Sequence, residues 1–261
     1  MKIAIVTTFN ENGFETYGER MVKSFNERLP AEVDILVFTE GFTLETDKPR
    51  VKIYDLPSES PELVNLKARW KDVPKANGYQ TNDTSGKPDF KYDAVRFSHK
   101  VFAIMAANKL TDADILIWVD GDTFAFENIP FDFILTQCPG VNEIASYLGR
   151  PDHYTECGWV AYNRRTSQEF LAAFAKAYLT DEIFTMTEWH DSWVFDRLRE
   201  RFETSGNKFK NLTPNATRGQ HVFINGDLGK YMDHMKGPRK QLGKSKPSDL
   251  KVTRTESYWN S

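Results

Sequence analysis

Short apolar runs alternate with helix-spaced apolar positions through the first half of the chain. Ile3–Thr7 and Asp34–Thr39 read as buried strands. Between them, Gly13–Leu29 sets Met21, Val22, Phe25 and Leu29 on one face, the spacing of an amphipathic helix. Val51–Leu56 is a third predicted strand, closed by Pro57. This β-α-β order predicts an α/β protein whose mostly parallel, doubly wound sheet is flanked by helices. Residues 75–91 are polar and rich in turn formers, hence a loop or lid. Tyr92–Leu110 reads as a helix, and Asp114–Val119 as the most apolar strand of the chain. Further on, Trp159–Tyr162 reads as a strand, and Ser167–Leu179 and His190–Phe202 as helices. Gly229–Arg254 is basic and punctuated by glycine and proline, which predicts an ordered tail crossing a site.

At 261 residues the chain fits one large α/β domain able to bury a core without staples. A net charge of −3 argues against nucleic acid as the main partner. Cys138 and Cys157 offer neither a disulfide framework nor a zinc pattern and suit a reducing compartment. The opening apolar stretch is too short for a signal-peptide core, and no apolar run reaches the ~20 residues of a membrane span. The expectation is a soluble, cytoplasmic protein. The glycosylation-type triplets at Asn82, Asn211 and Asn215 carry no weight without a secretion signal.

Two patterns bring chemistry. Asp120-Gly121-Asp122 follows the most apolar strand, and ligands of parallel α/β sheets bind at the carboxyl ends of strands. Two carboxylates one small residue apart can face one divalent cation, which bridges diphosphate oxygens. Gly121 would let backbone and ligand approach closely. Nineteen aspartates give about one Asp-x-Asp match by chance, and Asp112-Ala-Asp114 is such a second match. That pair precedes the strand and reads as solvated surface. The other pattern, His234-x-x-Gly237-x-x-Lys240, has about 0.02 chance matches in a chain of this composition. Imidazole suits a borderline metal such as manganese, and lysine offers a point charge for phosphate.

Together the two motifs resemble GT-A-fold glycosyltransferases, and most of all the glycogenin-like retaining family 8. The resemblance implies a Rossmann-like sheet, with residues 1–125 binding the nucleotide-sugar and 126–228 facing the acceptor. Residues 229–261 would form a basic tail across the donor site. It implies Mn2+, with Mg2+ as the substitute, held by Asp120, Asp122 and His234. A hexosyltransferase using a UDP-sugar and a glycan or other hydroxyl acceptor follows. Thr8 and Tyr17 fall where the family meets the nucleotide, and Arg96 and Lys100 where it carries basic residues. Glu156-Cys-Gly158-Trp stands in place of an Asn-Ala-Gly segment, and Asp191 in place of an aspartate followed by glutamine. The chain departs from the family at Glu156, at Ser192 and at Gln241-Leu242, where Pro-Trp is common.

Arg96 and Lys100 are like charges four apart on a helix, an arrangement an anion would relieve. Glu188-Trp189-His190-Asp191 is chemically dense. Asp191 and Glu156 are the candidate catalytic carboxylates, as sugar-binding groups, base or oxocarbenium stabiliser. Trp189 and His190 are candidate sugar contacts, against a core role for the indole. Alternatives are a haloacid-dehalogenase-like phosphatase using Asp120/Asp122, in which the threonine now at 123 would be expected at 124, and an inactive sugar-nucleotide-binding module. A nucleotidyltransferase would need a glycine-rich, lysine-bearing loop that Thr7–Gly13 lacks.

Overall fold

The computed structural model describes residues 1–260. Among them run the strands β1 (Ile3–Asn10), β2 (Val33–Glu40), β3 (Val51–Asp55), β4 (Ile115–Val119), β5 (Thr123–Ala125), β6 (Glu143–Leu148), β7 (Glu156–Asn163), β8 (Lys208–Asn211) and β9 (Met232–His234). Seven form one sheet in the order β3-β2-β1-β4-β7-β6-β8, and β5 with β9 forms a separate two-stranded ribbon. β3, β2, β1 and β4 are mutually parallel. β7 enters antiparallel between β4 and β6, and β8 lies parallel to β6.

The continuous apolar character of β1, β2 and β4 follows from burial on both faces. Side chains alternate along a strand, so one set (Ala4, Val6, Leu36, Phe38, Leu116, Trp118) joins the core under the helix Ala94–Leu110. The other set (Ile5, Ile35, Val37, Ile117) joins the core under the helix Glu19–Arg28, which supplies Met21 and Phe25. The predicted helix Gly13–Leu29 forms as one run, Glu11–Gly13 and then Glu19–Arg28, joined by a π-helical stretch at Phe14–Gly18. Asn10 caps its start by accepting from the Gly13 N–H at 2.7 Å.

The parallel order expected from the sequence holds as far as β4 and then gives way to mixed pairing. β7 is longer than Trp159–Tyr162, because a strand with neighbours on both sides keeps even its polar ends, Glu156 and Asn163, buried and paired. The helices Pro61–Trp70 and Phe131–Gln137 and the strands β6 and β8 add to the predicted elements. Residues 75–91 are mostly irregular, with single 3-10 turns at their ends. Beyond Gly229 the basic segment makes β9, a short helix at Arg239–Leu242, and a return anchored on buried Asp233, which accepts from Ser245 N at 2.8 Å and from the Tyr258 hydroxyl at 2.7 Å. No described helix is long and apolar enough to cross a membrane. Both cysteines are buried and unpaired.

Candidate active site

β4 ends at Val119, and the chain turns at Asp120-Gly121-Asp122 to enter β5. Thr123 N donates to Asp120 O at 3.0 Å and closes that turn. β5 pairs antiparallel with β9 in a register that sets Thr123 opposite His234. Strand pairing therefore joins the two sequence motifs. His234 Nε2 lies 3.1 Å from Asp122 Oδ1 and 3.6 Å from Asp120 Oδ2. The chain then passes Gly237 in a left-handed turn (φ +55°), and Lys240 swings back to place Nζ 3.0 Å from Asp122 Oδ2.

β7 closes the site from the other side of β4. Asp120 N donates to Gly158 O at 3.0 Å, and Glu156 Oε1 stands 3.7 Å from His234 Nδ1. A Cβ on Gly158 would fall 2.6 Å from His234 Nδ1, so only glycine leaves room for the imidazole. From the helix Ala94–Leu110, Lys100 Nζ reaches Asp120 Oδ1 at 2.8 Å, Asp191 Oδ2 at 2.5 Å and the Cys157 carbonyl at 3.0 Å. Asp191 is the first residue of the helix Asp191–Thr204 and is 3% exposed.

Burial alone would push these carboxyls toward neutrality. At Asp122 it is outweighed by the His234 charge and hydrogen bond and by Lys240, which hold the carboxyl well below its usual range. At Glu156 burial is outweighed by Lys236, His234 and Arg150, with the same result. Burial opposes charge on Lys100 too, but Asp120 and Asp191 hold its ammonium well above the ordinary value. His234 is raised by Asp122 and Glu156 against its own burial. Ionised carboxylates with matching cations are thus packed where desolvation is expensive. Such arrangements concentrate at functional sites.

The donor set also fits a divalent cation. Asp120, Glu156 and His234 each present a ligand atom within 4.8 Å of the others, and Asp122 adjoins them. Carboxylate oxygen with imidazole nitrogen suits Mn2+ or a similar ion. His234 Nδ1 is buried without a hydrogen-bond partner, and the space over Gly158 is filled by that same ring.

The remaining candidates divide. The Thr8 hydroxyl lies within 2.9 Å of both Phe38 O and Glu40 Oε1, either of which can accept its proton, and Glu40 in turn pairs with His99. Tyr17 lies beside the cluster, its ring centroid 4.8 Å from Lys240 Nζ. Arg96 is exposed and forms no ion pair among the described residues. Gly121 is constrained by protein: a Cβ there would meet Phe9 Cδ1 at 2.8 Å. Trp189 offers no face to a sugar in this structure. It is 2% exposed and packs on Tyr92 and Phe184 in the core, its N–H donating to Met186 O. His190 is likewise turned to structural use. It caps the helix Asp191–Thr204 by accepting from Trp193 N at 3.4 Å and bonds Glu188 at 2.9 Å, while burial holds its pKa below the usual value.

Four neighbours of the cluster carry no sequence signal. The Trp118 indole N–H donates to Asp120 Oδ1 at 2.7 Å. Lys236 pairs with Glu156 Oε2, and Arg150 Nη1 stands 3.6 Å from the same oxygen. His221 Nε2–H donates to His234 O at 3.1 Å. A tryptophan in an apolar strand and a lysine in a basic tail have default readings as core and surface, so only the folded structure singles them out.

No sequence profile of a known family matches this chain, and no curated protein does. Among solved structures, mouse xyloside xylosyltransferase 1 is similar, with a TM-score of 0.50 at 10% identity over 81% of this chain and 85% of that one. The glycosyltransferase GlyE of Streptococcus pneumoniae TIGR4 aligns with a TM-score of 0.46 at 11% identity, over 81% of this chain and 45% of that one. The first likeness shows the fold: a mixed α/β, GT-A-like sheet flanked by helices.

Proposed function

We propose that the protein is a metal-dependent glycosyltransferase that moves a sugar from a nucleotide diphosphate, most simply UDP, to a hydroxyl acceptor. The observation carrying this reading is the β5–β9 pairing, which sets His234 3.1 Å from Asp122 with Lys240 on the same carboxylate, at the carboxyl end of the sheet. Asp120, Asp122 and His234 hold Mn2+, or Mg2+ in its place. The ion supplies charge stabilisation to the diphosphate leaving group.

The chain's own residues do the rest. Lys240 and Lys100 balance the phosphate charge that develops as the bond from sugar C1 to diphosphate oxygen breaks. Arg96, exposed on the same helix, meets the incoming anion. Tyr17 and Thr8 face the nucleoside. Asp191, held by Lys100, lines the sugar side, with acceptor-side residues drawn from 126–228. Retention of configuration follows the family 8 resemblance. The acceptor oxygen then bonds to C1 on the face the diphosphate leaves, and its proton passes to the departing phosphate oxygen. The tail from residue 229 supplies His234, Gly237 and Lys240 and closes over the donor. A phosphatase using Asp120 and Asp122 fits less well, because Trp118 and Lys100 engage the first carboxylate and His234 and Lys240 the second.

Calorimetric titration of UDP and GDP, each with Mn2+ and with EDTA, tests this reading. Metal-dependent binding of one nucleotide is expected, followed by hydrolysis or transfer from UDP-glucose, UDP-galactose or UDP-xylose. Absence of nucleotide binding in both conditions would refute it.

A further inference from the structure

Glu156 meets the His234 ring at Nδ1, whereas the two aspartates meet it at Nε2. Nε2 is flanked by Asp122 at 3.1 Å and Asp120 at 3.6 Å. Those separations match neighbouring ligands on one cation, which lie about 3 Å apart when each bond is ~2.1 Å. Nδ1 points the other way, 1% exposed with its ring, without a hydrogen-bond partner, and 3.7 Å from Glu156 Oε1. One imidazole nitrogen can take the metal only if the other carries the ring's proton.

The Glu156 carboxylate is itself held from three directions. Oε1 accepts from Gly158 N at 3.2 Å, and Oε2 faces Lys236 and Arg150. Anchored in this way, the carboxylate faces Nδ1. The ring lies against Gly158, where any Cβ would overlap it, and the His234 backbone carbonyl accepts from His221. Closing the Nδ1–Oε1 gap to ordinary hydrogen-bond length needs a shift of roughly 0.7 Å.

Resting on the metal reading above, we infer that Glu156 is a positioning residue for His234. Its carboxylate accepts the Nδ1 proton, fixes the tautomer, and leaves Nε2 to the ion. Outer carboxylates of this kind typically contribute 10–100-fold to metal affinity. This assignment replaces the role in sugar transfer that the position of Glu156 in the sequence implies. It also accounts for Lys236 and Arg150, which hold the carboxylate in place.

The test is a double-mutant cycle on Mn2+ affinity, read by the electron paramagnetic resonance signal of free Mn2+. It uses wild type, Glu156→Ala, His234→Ala and the pair, with Glu156→Gln retaining the residue's shape. The expected result is a 10–100-fold loss for Glu156→Ala and a smaller loss for Glu156→Gln. In the His234→Ala background Glu156→Ala should cost nothing further, because residues acting through one another are not additive. An equal loss in both backgrounds would make Glu156 a ligand in its own right and overturn the inference, as would full affinity in Glu156→Ala. Failure of wild type to bind Mn2+ is a distinct result that removes the metal from the proposed function and this inference with it.

Discussion

β4 carries an Asp-x-Asp motif at each of its ends, and the two have opposite fates. At the entering end, Asp112 is 78% exposed and pairs with Lys2 in solvent, while Asp114 accepts from the Lys2 amide at 2.7 Å. A concavity of about 900 Å3 opens nearby. Its arginines are already committed to protein groups: Arg164 donates to Ala113 O at 2.7 Å and Asn108 O at 2.8 Å, and Arg165 to Val141 O at 2.6 Å. At the leaving end, Asp122 is 8% exposed and meets a buried histidine and a lysine. Volume favours the entering end and buried charge the leaving end. Buried charge is the better guide, because a pair in water yields little while a desolvated cluster persists only with strong compensation.

That contrast can be broken by substitution. Asp122→Asn should remove metal-dependent nucleotide binding, a loss beyond the ~10–100-fold expected of an outer residue. Calorimetry with Mn2+ checks it, and unchanged affinity would erase the difference between the two ends. Gly158→Ala drives a methyl into the His234 ring, so a stability loss of about 1–3 kcal/mol is expected together with weakened Mn2+ binding. Urea denaturation and metal titration of the same protein read both effects.

A subtler effect is pH-dependent. Burial, then the His234 charge, depress His221 to about 4. The unfolded chain takes up this proton first, near pH 6.5, so stability contributed by the neutral imidazole is present above 6.5 and is lost as pH falls toward 4. The loss is on the order of 1–3 kcal/mol. His221→Gln should shrink the difference between urea midpoints at pH 7 and pH 5, and an unchanged difference would place the acid sensitivity elsewhere. Smallest of all, Asp112→Ala should leave both melting temperature and nucleotide affinity as they are.

Both motifs are legible in the sequence and their meeting is not, for reasons that lie in the elements themselves. Ile115–Val119 is apolar without interruption, so its burial and the place of Asp120 at the strand's carboxyl end follow from pattern and strand direction alone. His234-x-x-Gly-x-x-Lys stands out by improbability. Their meeting does not: β5 and β9 have three residues each, too short for any periodicity, and pair over a long sequence separation. Trp189 marks the opposite limit. An indole next to a cluster of charged residues invites a sugar-facing reading, yet composition cannot say which way a ring points, and this one points into the core. The antiparallel entry of β7 was equally hidden, although it carries Glu156 and Gly158 to the His234 ring.

Localising the ion by nuclear magnetic resonance tests the central claim most directly. Mn2+ added with UDP to 15N-labelled protein broadens signals near its binding site. The Trp118 indole N–H, which donates to Asp120, should vanish first, while the amides of Asp112, Asp114 and Arg164 persist and EDTA restores the spectrum. Broadening centred on Asp112 and Asp114, or none at either end of β4, would contradict the assignment of the buried cluster as the metal and donor site.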